Sequence, residues 1–71
     1  MKILDGKTIA NNIKAERNRA GKTIDEVCSY LGISRTTYVE YEKNAEIIKT
    51  STLVKLSSCF NCDICMFFYT K

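Results

Sequence analysis

Residues 23–42 read Thr23-Ile24-Asp25-Glu26-Val27-Cys28-Ser29-Tyr30-Leu31-Gly32-Ile33-Ser34-Arg35-Thr36-Thr37-Tyr38-Val39-Glu40-Tyr41-Glu42, and this stretch decides the fold. Two short helical patterns lie on either side of one glycine, and each begins at a hydroxyl residue that can accept from the exposed backbone N–H groups of a first turn. In the first, Ile24, Val27, Cys28 and Leu31 recur at offsets of three, four and seven, forming one apolar stripe, while Asp25, Glu26 and Ser29 face water. Gly32 stands where a helix end favours positive φ. Ile33 plugs the corner and Ser34 caps the second pattern. Tyr38 and Tyr41, three apart, turn back toward the first helix, leaving Arg35, Thr36, Val39 and Glu40 outward. A helix held by its back in this way presents a polar front.

The run Leu31-Gly32-Ile33-Ser34-Arg35-Thr36-Thr37, with Glu42 eight residues after Ser34, resembles the lambda-repressor/Cro-type helix-turn-helix of phage and bacterial repressors. Glycine, capping serine and glutamate fall at the family's offsets, and the resemblance extends over about residues 8–68. It implies a compact, all-α, five-helix DNA-binding domain with the helix-turn-helix formed by helices 2 and 3.

Size and composition agree with that expectation. Seventy-one residues make one domain, and a chain this short buries only about 60% of the surface that it exposes when unfolded. Its core is expected to be small, and a second subunit would help it. A hydrophobic fraction of 45% and a charged fraction of 27% are those of a globular protein, with no run near the ~20 apolar residues of a membrane span. Lys2 to Gly6 has no apolar stretch of signal-peptide length, so a cytoplasmic location is expected. With no proline and three glycines, little breaks helices and nothing reads as a linker or repeat. The net charge of +3 permits contact with phosphates without by itself announcing nucleic-acid binding.

Taken in order, a short apolar lead precedes a first helix capped by Asp5 or Thr8 and running to about Ala20, with Ile9, Ile13 and Ala20 inward and Gly21 ending it. Glu16 occupies a position where the family usually has an apolar residue, so loose or locally rearranged packing is expected there. After Glu42, a segment from Lys43 to Lys49 leads to a fourth helix capped by Thr50 or Ser51. Asn44 in that segment stands where the family prefers glycine and where asparagine also accepts a left-handed backbone. Leu53, Val54, Leu56 and Phe60 form the apolar face of the fourth helix. Asn61 ends it, Asp63 caps a last short helix, and Ile64, Phe67 and Phe68 close the core before a frayed tail at 69–71.

What the resemblance implies for function is specific. Arg17 corresponds to a family arginine that pairs with the glutamate near the end of the recognition helix, here Glu42, in a structural ion pair. The alternative is two solvated side chains on unrelated faces. The recognition helix, residues 34–42, would enter the major groove of double-stranded DNA. There Arg35 would fork onto guanine O6 and N7, Thr36 would meet a thymine methyl and Glu40 would accept from a cytosine amino group. Lys22, Thr23, Thr37, Lys43, Asn44 and Lys49 would meet phosphates, which anchor without reading sequence. The family often carries glutamine at the position of Ile24, and its bracing contact is lost here.

Cys59, Cys62 and Cys65 form a C-x-x-C-x-x-C array, and Cys28 brings the thiols to four, the count of a structural zinc or an iron–sulfur cluster. Zinc sites usually comprise two separated pairs, however, histidine is absent, and the array straddles the break expected at Asn61. No metal or cofactor is therefore assigned. Redox sensing through Cys59 or Cys65 would need a lowered thiol pKa, for which no neighbouring group is evident. Without histidine, a phosphate loop or a nucleophile with an evident base, the chain reads as a non-enzyme.

The leading expectation is a sequence-specific repressor-like transcriptional regulator binding a palindromic operator as a homodimer, through Met66, Phe67, Phe68 and Tyr69 unless those residues only complete the monomer core. The alternative is a helix-turn-helix scaffold that binds a protein, as an antirepressor or antitoxin-like partner, through Val39 and Glu40.

Overall fold

A computed structural model describes residues 5–69. The apolar lead over 1–4 and the tail positions 70 and 71 lie outside the described residues. Within them are four α-helices, α1 (Gly6–Arg19), α2 (Ile24–Leu31), α3 (Arg35–Tyr41) and α4 (Thr50–Cys59), and two 3-10 turns, Ala45–Ile47 and Ile64–Phe68. The class is all-α. The expected fifth helix is the second of these turns, so the α-helices number four among the described residues, not five.

Side-chain caps and left-handed residues set most of the boundaries. Thr8 N–H donates to Asp5 Oδ1 (2.8 Å), opening α1, and Gly21, at φ 71°, turns the chain out of it. At α2 the capping is reciprocal: Glu26 N–H donates to Thr23 Oγ1 (3.1 Å) and Thr23 N–H to Glu26 Oε1 (2.9 Å). Gly32, also at φ 71°, closes α2, and Ser34 accepts from Thr37 N–H (3.2 Å) to start α3. Asn61, left-handed at φ 52°, follows α4 and directs the chain into the last turn, which Asp63 caps by accepting from Cys65 N–H (3.1 Å).

The core is built around Tyr38, Phe67, Ile13, Leu56 and Val27, all fully buried. Ala10, Cys28, Ala45, Ile48 and Phe60 surround them. α1 packs chiefly against Ile64–Phe68, and α2 packs against α3 and α4. Phe60 and Phe67 meet edge to face with ring centroids 6.2 Å apart, which joins the end of α4 to the last turn.

Several local expectations are corrected. Ala20 is exposed because α1 has ended by that residue, and Ala10 takes the inward position beside Ile13. α4 begins after Lys49 with no side-chain cap, so neither Thr50 nor Ser51 caps it. Asn44 is extended, at φ −152°, and its side chain accepts from Glu46 N–H (3.0 Å), capping the Ala45–Ile47 turn in place of a left-handed bend. Val54 is half exposed and Phe68 lies at the surface, so Leu56, Phe60 and Phe67 carry the burial of this region. Glu16 is buried at 6% exposure with Arg19 Nη1 3.4 Å from its Oε2. Beside it a groove of about 440 Å³ opens between α1 and the last turn, lined in part by Arg19, Phe60, Cys62 and Met66.

Candidate nucleic-acid interface

Behind α3 lies a polar network set into the core. Tyr38, fully buried, donates its hydroxyl to Glu42 Oε2. Arg17 Nε donates to the same oxygen at 2.7 Å, and Nη2 reaches Glu42 Oε1 at 3.4 Å. Arg17 Nη1 donates to the Lys22 carbonyl at 3.0 Å. The side chains of Arg17 and Glu42 are only 11% and 9% exposed, so the carboxylate is shielded from water and held by two different donors. The hydrogen bond to Glu42 raises the Arg17 pKa above its already high ordinary value. Burial, and then Glu42 beside it, push the Tyr38 phenol far above the usual tyrosine range. Each of these groups is thus kept in the form the network requires.

This network fixes α3 at its C-terminal end and on its inner side. Tyr41 adds an edge-to-face contact with Tyr38, centroids 6.2 Å apart. At the other end, Ser34 and Thr37 hydroxyls lie 2.9 Å apart, and Cys28 Sγ donates weakly to the Ser34 carbonyl at 3.7 Å. With its back and both ends tied down, α3 turns Arg35, Thr36, Thr37 and Glu40 to the surface, all exposed, with Val39 half-buried at the margin.

The exposed face is charged in pairs. Arg35 Nη1 lies 2.6 Å from Asp25 Oδ1, a contact across the corner between α2 and α3. Glu40 Oε1 lies 3.7 Å from Lys43 Nζ. Lys22 and Lys43 belong to one neighbourhood, because the guanidinium of Arg17 holds both the Lys22 carbonyl and Glu42, the residue before Lys43. Thr23 is the α2 cap and Lys49 precedes α4. The side-chain oxygen of Asn44 is occupied in capping, leaving its amide nitrogen as the available donor. Ile24 packs against the core and has no polar group to brace α3. Asp25 is the residue that sequence reasoning passed over. It reads as one more solvated acid on α2, and its link to Arg35 ten positions on arises only once the corner is formed.

Phe67, one of the four candidate interface residues, is fully buried in the monomer, so it belongs to the core and cannot meet a partner. Met66 is half-buried, and Phe68 and Tyr69 are exposed. The four cysteines carry free thiols. Burial raises the pKa of Cys28, Cys59 and Cys62, and the hydrogen bond with Asp63 raises that of Cys65. None is activated as a thiolate.

No helix among the described residues is long and apolar enough to cross a membrane. A comparison with curated proteins finds no match. A family model described as helix-turn-helix matches residues 13–67, which takes in the second half of α1, α2, the corner, α3, α4 and most of the last turn. That family is one of DNA-binding regulatory domains. The chain belongs to the lambda-repressor/Cro-like helix-turn-helix family.

Proposed function

We propose that this protein is a sequence-specific transcriptional regulator of the repressor type, which lays α3 in the major groove of operator DNA. One observation carries the reading: α3 is clamped from behind by the Arg17–Glu42–Tyr38 network while Arg35, Thr36 and Glu40 stand exposed. Arg35 forks onto a guanine, Thr36 meets a thymine methyl and Glu40 accepts from a cytosine amino group. Lys22, Thr23, Thr37, Lys43, Asn44 and Lys49 anchor the flanking phosphates. Two copies related by a two-fold axis, joined through Met66, Phe68 and Tyr69, bind half-sites about 34 Å apart.

Selection from a pool of random duplexes tests this. An enriched palindrome is the expected result, and a pool that stays random at low salt would overturn it.

A second reading, in which the same face docks a protein, is favoured by the charge balance on α3. Arg35 is matched by Asp25 and Lys43 by Glu40, which reduces the field that would draw in a phosphate backbone. Salt separates the two. DNA affinity resting on six or more phosphate contacts falls by about 10³-fold or more between 50 and 200 mM salt, whereas a docked protein held through Val39 changes far less.

A further inference from the structure

Among the described residues, the Arg35–Asp25 contact is the one ion pair on the exposed side of α3 that joins it to another helix. The Arg17–Glu42 pair lies behind, and the Glu40–Lys43 pair is local, three residues apart. Both partners of the Asp25 contact are exposed, at 61% and 79% for the side chains, so it contributes little to holding the fold together. Its interest lies in what it does to Arg35.

An arginine at the first position of an exposed helix has two anionic or polar targets on a DNA duplex: the nearest phosphate, which is sequence-blind, and the O6/N7 edge of a guanine, which is not. A guanidinium carrying its full charge is drawn to the first. In this chain Asp25 Oδ1 takes Nη1 at 2.6 Å and offsets the positive charge, while the edge formed by Nε and Nη2 is left to donate. A guanidinium so held is oriented by a partner on a neighbouring helix before DNA arrives, so less rotamer freedom is lost on forming a two-pronged contact. The carboxylate itself repels phosphate.

From this geometry we infer that Asp25 is a specificity-determining positioning residue, which aims the Arg35 fork at a guanine and keeps it off the backbone. The inference rests on the reading of Arg35 as a base-reading residue, and it adds a second residue, on α2, to the determinants of that one base preference. Asp25 touches no base. It acts through Arg35.

Asp25→Asn keeps the size of the side chain and removes its charge, and because Asp25 is exposed the variant folds as the parent does. Binding to the selected operator, to the operator with the Arg35-contacted guanine replaced, and to an unrelated duplex is measured across a salt series, for the parent, Asp25→Asn, Arg35→Ala and the double variant. The expected result is that Asp25→Asn lowers discrimination at that guanine by about tenfold, while affinity for the unrelated duplex rises and its salt dependence steepens by about one phosphate contact. In the Arg35→Ala background the same change has no effect on discrimination. A merely structural role would lower binding to all three duplexes alike and leave the salt slope unchanged, which would overturn the inference. Guanine preference intact in Asp25→Asn but lost in Arg35→Ala would overturn it while leaving the reading of Arg35 standing. Guanine preference unchanged in Arg35→Ala would remove both.

Discussion

Among single residues, Glu42 has the most depending on it. Its carboxylate accepts from Arg17 and from Tyr38, and all three side chains are shielded from water. Glu42→Ala leaves a buried guanidinium without its counter-charge, a loss of about 3 to 5 kcal/mol in the fully buried limit. In a domain of this size that is a large share of the total stability. Chemical denaturation should show the midpoint falling accordingly, and a shift below 1 kcal/mol would mean that the pair is solvated. Tyr38 makes a separate prediction at alkaline pH. Its folded pKa is raised, so below the unfolded value of about 10 both states hold the proton and nothing is lost. Above it the unfolded chain releases the proton first, and stability declines as pH rises. Tyr38→Phe should remove that part of the alkaline decline, which a comparison of unfolding free energies at pH 8 and pH 11 reads directly.

For the helices and turns, what the sequence makes legible is what is decided locally. Gly32 at positive φ, the Thr23–Glu26 capping box and the Ser34 cap are each set within about four residues, so the helix-corner-helix can be read off the chain. The inward Tyr38 follows from helical spacing. The last helix fails as an expectation because five residues, Ile64–Phe68, packed between Asn61 and the tail adopt the tighter 3-10 winding, a choice made by packing on α1. The place of Asn44 is likewise tied to a distant element, since its side chain lies against Gly6 at the start of α1.

Gly6 shows the same effect: a Cβ there would collide with Asn44 Oδ1 and lie 2.7 Å from Glu46 Cγ. Gly6→Ala should therefore displace the Asn44 cap and cost about 1 kcal/mol, measurable as a lower Tm; an unchanged Tm would show that α1 and the Ala45–Ile47 turn do not abut. The caps also predict an acid response. Hydrogen bonds accepted from backbone N–H groups lower the pKa of Asp5, Glu26 and Asp63. Their contribution is present above the unfolded carboxylate range near 4 and is lost as pH falls through the folded values. Glu26→Gln should flatten that acid loss, as followed by helical circular dichroism.

On the scale of the whole molecule, α3 is the proposed working surface and everything else its mount. Lys49→Ala should weaken binding to all duplexes alike and reduce the salt slope by about one contact; an unaltered slope would place Lys49 away from the backbone. With Tyr69 in the proposed self-association surface, Tyr69→Ala should shift sedimentation toward monomer without lowering the unfolding midpoint, since that residue is 58% exposed. The most direct test of the central claim is a map of backbone amide shifts by NMR as a selected operator duplex is added. The largest changes are expected at Arg35, Thr36 and Glu40 and at the flanking Lys22, Thr23 and Lys43, ahead of any at the groove beside Glu16 and Met66. Changes concentrated in that groove, with α3 silent, would contradict it.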